Sequence, residues 1–172
     1  MAVYTTVYPG VEKYLADWYR SLRCQTDDDY DLWIGIDAVT PENAISAMGA
    51  TPEATWVPAS PGDSHAQVRQ RALAQIVDSY AAVVLVDSDD ILRPSRVAAA
   101  RAALRTADVS GCALQLVGER AEDLGEQFTL PPGMSPDEVL PRHNIFGLSN
   151  TAYRCEALRQ CLSLKPEERP VS

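Results

Sequence analysis

The hydrophobic residues of the chain follow two spacings that alternate along its first hundred residues. Short runs rich in β-branched and aromatic residues predict strands, and they cover residues 2–8, 31–37, 54–60 and 81–87. Between the first two runs, apolar residues recur at helical spacing: Val11, Leu15, Trp18 and Leu22. Strands that alternate with helices predict a mostly parallel sheet with helices on both faces, a three-layer α/β/α fold.

Capping and turn signals place the helices more closely. Residues 11–24 predict one amphipathic helix, and Thr40 followed by Pro41 predicts a second over 40–50. Ser64 and Gln67 have the spacing of a capping box and predict a third helix behind them. A fourth helix is expected to begin at Pro94.

The pattern changes after residue 107. The segments that follow are a strand over 109–118, a proline-rich excursion over 130–141, a strand over 144–154 and a helix over 155–162. We expect a single domain over 1–172 because 172 residues suit one core, with halves 1–107 and 108–172 that differ in character.

Composition and charge exclude several classes of function. A net charge of −9 disfavours nucleic-acid binding, although a metal cation would still let the chain bind an anionic small ligand. The four cysteines show no CxxC spacing and there are only two histidines, so a zinc site is not expected. No signal peptide or transmembrane segment is evident. We therefore expect a cytoplasmic protein, and peripheral membrane association is left open.

The segment VVLVDSDDILRP carries the strongest chemical signal. Its nearly continuous apolar run is typical of a buried parallel strand, and it ends in Asp87, Ser88, Asp89 and Asp90. Neighbouring carboxylates raise one another's pKa unless a cation neutralises them. Oxygen ligands of this kind suit Mg²⁺ or Mn²⁺, which also bind diphosphate oxygens. The alternative is that one of these aspartates only caps the following helix.

Other polar residues are expected at the same edge of the sheet. Ligands of parallel α/β sheets bind outside the carboxyl ends of the strands, and Tyr8 and Asp37 follow two such ends. His65 stands at the predicted start of a helix that faces the same crevice, where the positive helix end attracts phosphate. The sequence thus predicts a crevice built from three strand ends and one helix start.

The amino-terminal third resembles family 2 glycosyltransferases of the GT-A fold. The matching residues are Glu12, Lys13, Tyr14 and Leu15, then Ser21, Leu22, Gln25 and Thr26. Arg71, sixteen residues before Asp87, and the segment GLSNTAYRCEAL extend the resemblance. Pro9 and Ala72 stand where this family usually has asparagine.

The resemblance implies a nucleotide-sugar-binding half over 1–107, a partial acceptor-side half over 108–172 and a set of residue roles. Donor contacts would come from Thr6, Tyr8, Asp37, Arg71, Asp87 and Ser88, with Asp89 binding Mn²⁺ or Mg²⁺ and Asp90 orienting its neighbours. The implied reaction moves a sugar, with inversion, from a nucleotide-diphosphate donor to an acceptor hydroxyl of a glycan, a lipid or a small molecule.

The general base of such a reaction is not identified in the sequence. Glu167 and Glu168 are weak candidates, since their context KPEERP is typical of a solvated tail. Members of the family are commonly longer than this chain. Two alternatives therefore stay open: a nucleotide-binding module without turnover, and a nucleotidyltransferase or other metal-dependent phosphoryl-transfer enzyme. Against the second, no glycine-rich phosphate loop is found.

Overall fold

The computed structural model describes residues 1–118, 122–129, 133–135, 138, 147 and 149–162. The strands in this part of the chain are β1 (Ala2–Val7), β2 (Asp31–Ile36), β3 (Ala54–Pro58), β4 (Ala82–Leu85), β5 (Val109–Gly111), β6 (Leu114–Val117), β7 (Asp123–Phe128) and β8 (Thr151–Arg154). The helices are α1 (Leu15–Arg23), α2 (Pro41–Met48), α3 (His65–Ser79), α4 (Arg96–Ala103) and α5 (Cys155–Leu162).

Six strands form the main sheet in the order β3-β2-β1-β4-β8-β5. The pairings among β1, β2, β3 and β4 are parallel, and β8 is antiparallel to both β4 and β5. In register, Val7 of β1 lies beside Ile36 of β2, and Tyr4 lies beside Leu85 of β4. The carboxyl ends of β1, β2 and β4 therefore meet at one edge, and the predicted mostly parallel α/β fold is confirmed.

Both faces of this sheet are buried. Val3 and Val7 of β1 face one apolar cluster, which includes Trp18 and Leu22 of α1. Ala2 and Tyr4 point to the opposite cluster, where α3 and α5 pack. The alternation along one strand accounts for the apolar composition of the central strands, because neither face meets water. No helix in the described part of the chain is long and apolar enough to cross a bilayer.

The predicted helix starts have a physical basis in the structure. The Thr40 side chain accepts a hydrogen bond from the Asn43 N–H at 3.2 Å, and Gly49 ends α2 in the left-handed conformation with φ of 70°. At α3, Gln67 Oε1 accepts a hydrogen bond from the Ser64 N–H at 2.7 Å, as a capping box requires. The first helix is shorter than predicted, since α1 begins at Leu15 rather than residue 11.

The structure corrects the prediction for residues 109–118. The predicted single strand is two strands, of which β5 pairs with β8 at the edge of the main sheet. The second, β6, pairs with β7 in a separate two-stranded sheet. On that hairpin Leu116, Leu124 and Phe128 are exposed. Sequence periodicity could not separate the two strands, because they have only three and four residues. Of the predicted strand 144–154, the last four residues form β8, and residues 144–146 and 148 lie outside the described part.

Gly35 in the middle of β2 offers a test of how tightly the α3 face is packed. A Cβ at this position would lie 2.5 Å from the Tyr4 hydroxyl oxygen and 3.0 Å from Val68 Cγ1. We expect Gly35→Ala to lower the free energy of unfolding by about 1–3 kcal/mol because of this overpacking, as measured by urea denaturation. Adding Tyr4→Phe removes the closest atom and should recover part of the loss, and an unchanged midpoint for the single variant would contradict the packing described here.

Candidate functional site

The candidate site lies where β1, β2 and β4 end, and the loop of residues 87–90, called the aspartate loop below, forms its centre. A small cleft beside this loop is lined by Tyr4, Thr6, Arg69, Leu85, Val86 and Asp87. Within it, the Tyr4 hydroxyl and Thr6 Oγ1 are hydrogen-bonded at 2.9 Å. The structure thus brings the predicted residues Thr6 and Asp87 to one cleft, together with Arg69, for which the sequence predicted no role.

The carboxyl of Asp87 has an unfavourable environment for its charged form. Burial raises its pKa, and the charges of Asp90 and Asp89 raise it further. A hydrogen bond from Ser149 and the positive charge of Arg69 lower it in part. The Ser149 hydroxyl donates to Asp87 Oδ2 at 3.0 Å and accepts from the Asp87 N–H at 2.9 Å. Ser149 therefore fixes both the backbone and the side chain of Asp87.

The other two carboxylates of the loop reach further toward solvent. Asp89 and Asp90 are both exposed. The pKa of Asp90 is nevertheless raised, first by loss of solvation and then by the charge of Asp89, while Ser149 lowers it. Tyr8 feels the same field: the pKa of its phenol is raised by burial and then by Asp89, Asp87 and Asp90. The end of β1 and the aspartate loop therefore face each other across the crevice.

Ser88 is buried inside the aspartate loop and hydrogen-bonded to β1. Its side chain is 0% exposed, and its hydroxyl donates to the Thr6 carbonyl oxygen at 2.9 Å. This hydrogen bond ties the loop to β1. Because the hydroxyl is enclosed and engaged, a donor contact from the Ser88 side chain, as predicted from the resemblance, would require the loop to rearrange.

Two buried polar residues of α1 and its end hold the segment that follows the aspartate loop. Ser21 Oγ accepts a hydrogen bond from the Leu92 N–H at 3.1 Å. Gln25 Nε2 donates to the Arg93 carbonyl oxygen at 3.0 Å, and Gln25 Oε1 accepts from the Val97 N–H at 3.1 Å. Gln25 thus joins the residues after the aspartate loop to the start of α4. The S-L-x-x-Q-T pattern, noted in the sequence only as a resemblance, supplies Ser21 and Gln25, which hold this segment and are called the clamp below.

His65 connects the ends of β1 and β2. His65 Nδ1 lies 2.5 Å from Asp37 Oδ2, and the rings of His65 and Tyr8 meet edge to face with centroids 5.4 Å apart. Since α3 begins at His65, the start of this helix, Asp37 and Tyr8 surround one space. The structure therefore brings together three residues that the sequence placed at the crevice for separate reasons.

Arg71 does not share the cleft of Asp87. Its Nη1 donates to the Pro58 carbonyl oxygen at 2.7 Å, and its Nη2 pairs with Asp63. Asp63 also accepts from the Ser60 N–H at 2.6 Å, and these contacts hold the pKa of Asp63 below its usual value. Arg71 therefore orders the connection between β3 and α3. Its predicted donor contact stays a prediction, and Arg69 is the arginine that faces Asp87.

The residues of the aspartate loop suit a hard divalent cation that keeps other ligands. Among the described residues, no group of three or more His, Cys, Asp or Glu side chains is arranged to enclose a metal. Mg²⁺ and Mn²⁺ do not require such a group, because they commonly use one or two carboxylates with water and substrate phosphates. The exposed carboxylate of Asp89 and the raised pKa of Asp87 and Asp90 fit such a partly open site.

Several predictions concern residues outside the described part of the chain. Glu167 and Glu168, the weak candidates for the base, lie there.

Two residues at the site were given no role in the sequence analysis. Ser149 belongs to the G-x-S segment of GLSNTAYRCEAL, so a signal for it existed. Arg69 had no such signal. Arg69 and Arg71 both lie on α3, and the sequence does not show which of the two side chains points to the cleft.

The comparisons with known proteins give a fold and no family. No family model matches the chain, and no curated protein matches it by sequence. Among solved structures, S. aureus TarS 1-349 in complex with UDP is 21% identical with a TM-score of 0.63, covering 97% of this chain and 50% of that chain. The mannosyltransferase PcManGT from Pyrobaculum calidifontis, in complex with GDP-Man and Mn²⁺, is 14% identical with a TM-score of 0.59.

The second match covers 97% of this chain and 47% of the mannosyltransferase, so the chain spans about half the length of either protein. S. aureus TarS 1-349 in complex with UDP-GlcNAc also matches, at 17% identity and a TM-score of 0.54. These likenesses show that the chain has a GT-A-like α/β fold.

The electrostatics of Asp87 predict a stability change that depends on pH. A carboxyl whose pKa is raised by folding binds its proton more tightly in the folded chain than in the unfolded chain. The free energy of unfolding therefore falls as the pH rises from the ordinary pKa of 3.8 through the raised value. We expect Asp87→Asn to be more stable than the wild type at pH 7 without metal, by about 1 kcal/mol, because a partly buried charge is removed. The gain should vanish at pH 3.

Thermal unfolding of both proteins between pH 3 and 8, with chelator present, measures this difference. Asp78→Asn, which changes an exposed carboxylate paired with Arg159, is the control and should give no such gain. A variant of Asp87 that is less stable than the wild type at every pH would contradict the assigned environment.

Proposed function

We propose that the chain binds a nucleotide-diphosphate sugar with a divalent cation and transfers the sugar to an acceptor hydroxyl. The observation that carries this proposal is the aspartate loop, set after the carboxyl end of β4 and joined to β1 by the hydrogen bond from Ser88 to the Thr6 carbonyl oxygen. The fold adds support, because the matching mannosyltransferase is in complex with GDP-Man and Mn²⁺ and TarS with UDP-GlcNAc. We also propose that this site belongs to a single domain that spans residues 1–172. The chain is proposed to be a member of the family 2 glycosyltransferases.

The proposed donor pocket lies between β1, β2 and the start of α3. Tyr8 would border the base, and Asp37 would hydrogen-bond the base or the ribose. Asp37 is paired with His65, so a nucleotide that uses Asp37 would exchange this contact for its own. Thr6 lies deeper, beside Asp87, and would border the ribose end of the pocket.

Asp89 is proposed to bind Mn²⁺ or Mg²⁺, with Asp90 and Asp87 orienting the site. When bound, the cation would neutralise the charge that develops on the departing diphosphate. Ser149 holds Asp87 in a fixed orientation, and the clamp from Ser21 and Gln25 keeps the loop from moving away. Pre-positioned groups of this kind lower the reorganisation that the reaction would otherwise require.

A module that binds the nucleotide without transferring the sugar is the second candidate. One observation favours this candidate. The carboxylates that the contacts above place at the crevice are Asp37, Asp87, Asp89 and Asp90, and the proposal assigns each of them to the donor or to the metal. Inversion at the sugar would need a further base on the acceptor hydroxyl. Incubation with UDP- and GDP-sugars, followed by detection of the released diphosphate, separates an enzyme from a binding module.

Donor binding is tested directly by thermal unfolding with a panel of nucleoside diphosphates and Mn²⁺. At about 100 times Kd, one of them should raise Tm by about 5–10 °C, and a chelator should abolish the shift. Asp89→Ala should lose the shift because the cation has lost its carboxylate. The control Glu53→Ala removes an exposed negative charge elsewhere and should keep it. No metal-dependent shift with any nucleotide would overturn the proposal.

Arg69 and Arg71 are expected to behave differently in the same measurement. Arg69→Ala should weaken nucleotide binding about tenfold with little change in the Tm of the free protein, because its charge acts toward the cleft. Arg71→Ala should instead lower the Tm of the free protein, because it removes the partner of Asp63 and Pro58. If Arg71→Ala weakens binding and leaves Tm unchanged, then Arg71 has the donor role that the resemblance implies.

A further inference from the structure

Arg96, the first residue of α4, is a buried cation with unsatisfied hydrogen-bond donors. Its relative exposure is 8%, and its Nε and Nη2 atoms are enclosed without a hydrogen-bond partner. Among the described residues, no carboxylate forms an ion pair with it. Arginine is almost never buried in this way unless it is paired, because an uncompensated charge in the interior costs several kcal/mol. Such a group indicates a partner that the described residues do not provide.

Arg96 lies close in sequence to the candidate site, at the first position of α4. Helix α4 follows the aspartate loop and packs against β4 and β5. The N–H groups at its start are already used, since Arg96 N donates to the Arg93 carbonyl oxygen at 2.9 Å and Val97 N donates to Gln25. The unsatisfied donors are therefore those of the guanidinium, and the positive end of the helix adds to its field.

The surroundings of Arg96 differ from those of the donor pocket. Burial lowers the pKa of Arg96, and the titratable side chain near enough to affect it is that of Cys112, which follows β5. In the main sheet, β8 and β5 lie on one side of β4, while β1 and β2, with Tyr8 and Asp37 at their ends, lie on the other. Arg69, not Arg96, is the arginine whose charge acts on Asp87. Arg96 therefore belongs to a helix that packs on the β4–β5 side of the sheet, apart from the base pocket.

We propose that Arg96 binds an oxyanionic group, a phosphate or a carboxylate, of the acceptor. This inference rests on the proposed function, because it assigns the β4–β5 side of the crevice to the acceptor. A guanidinium suits such a group since its planar set of N–H donors can form two parallel hydrogen bonds to one oxyanion. The ligand would supply the negative charge that the described residues do not, so the acceptor class is anionic.

The test uses inorganic phosphate and acetate as separate probes, without nucleotide and with chelator present. Tm is followed at constant ionic strength for the wild type, Arg96→Met and Arg93→Met. Arg93→Met is the matched control, because it removes an exposed positive charge three residues away. We expect at least one probe to raise the Tm of the wild type and of Arg93→Met by a few degrees at tens of millimolar, and to leave Arg96→Met unchanged.

Arg96→Met also tests whether the charge is unpaired. Because methionine fills similar space without a charge, its Tm in probe-free buffer should equal or exceed that of the wild type. A loss of about 10 °C or more would mean that Arg96 has a counter-charge within the folded chain, and would overturn the proposal. If Arg96→Met does not fold, Arg96→Lys replaces it and should retain a weakened response to the same probe.

The donor diphosphate is distinguished from the acceptor by repeating the titration with saturating nucleoside diphosphate and Mn²⁺. A shift that persists supports a separate acceptor site, and a shift that disappears assigns Arg96 to the donor and overturns the proposal. Equal shifts in the wild type and Arg96→Met would show an adventitious ion only. Failure here leaves the Asp89-dependent nucleotide shift unaffected, so the two proposals fail independently.

Discussion

The site depends on holding three carboxylates within one short loop against their mutual repulsion. The chain does so with hydrogen bonds from three distant segments. Ser88 ties the loop to β1, Ser149 fixes Asp87 from the far side, and Ser21 and Gln25 clamp the residues that follow. Four of these hydrogen bonds involve a backbone N–H or carbonyl group and one involves the Asp87 carboxylate, so they fix the path of the chain through and after the loop.

The repeating strand–helix half of the fold could be predicted from the sequence, because each central strand is buried on both faces and each helix has one apolar face. Prediction was weaker where those constraints end. Residues 109–118 are apolar without a clear period, and only tertiary pairing decides that Gly111 closes one strand and Leu114 opens another. The predicted start of α1 was early for a similar reason: Val11 is buried, but in the turn that precedes the helix.

The candidate site could be predicted as a location more readily than as a set of contacts. Strand ends in a parallel sheet meet at one edge, so Tyr8, Asp37 and Asp87 follow from strand positions alone. The resemblance pointed to Arg71 as a donor contact, which stays a prediction. That Arg69 lines the cleft of Asp87 depends on the direction of its side chain, for which the sequence carried no signal. Long-range hydrogen bonds such as those of Ser149 and Gln25 leave no local periodicity, so motif resemblance was the only signal for them.

The hydrogen bond between Ser149 and Asp87 also has a consequence for the order of folding. The two residues are 62 positions apart, and β8, which follows Ser149, pairs with β4. A nascent chain that has reached residue 107 can pair β1, β2, β3 and β4, yet it lacks the group that fixes Asp87. Asp87 therefore stays without this hydrogen-bond partner until residue 149 has been synthesised. The aspartate loop would then reach its final arrangement only after residue 149 has emerged, so the ordering of this loop would mark the addition of β8 to the sheet.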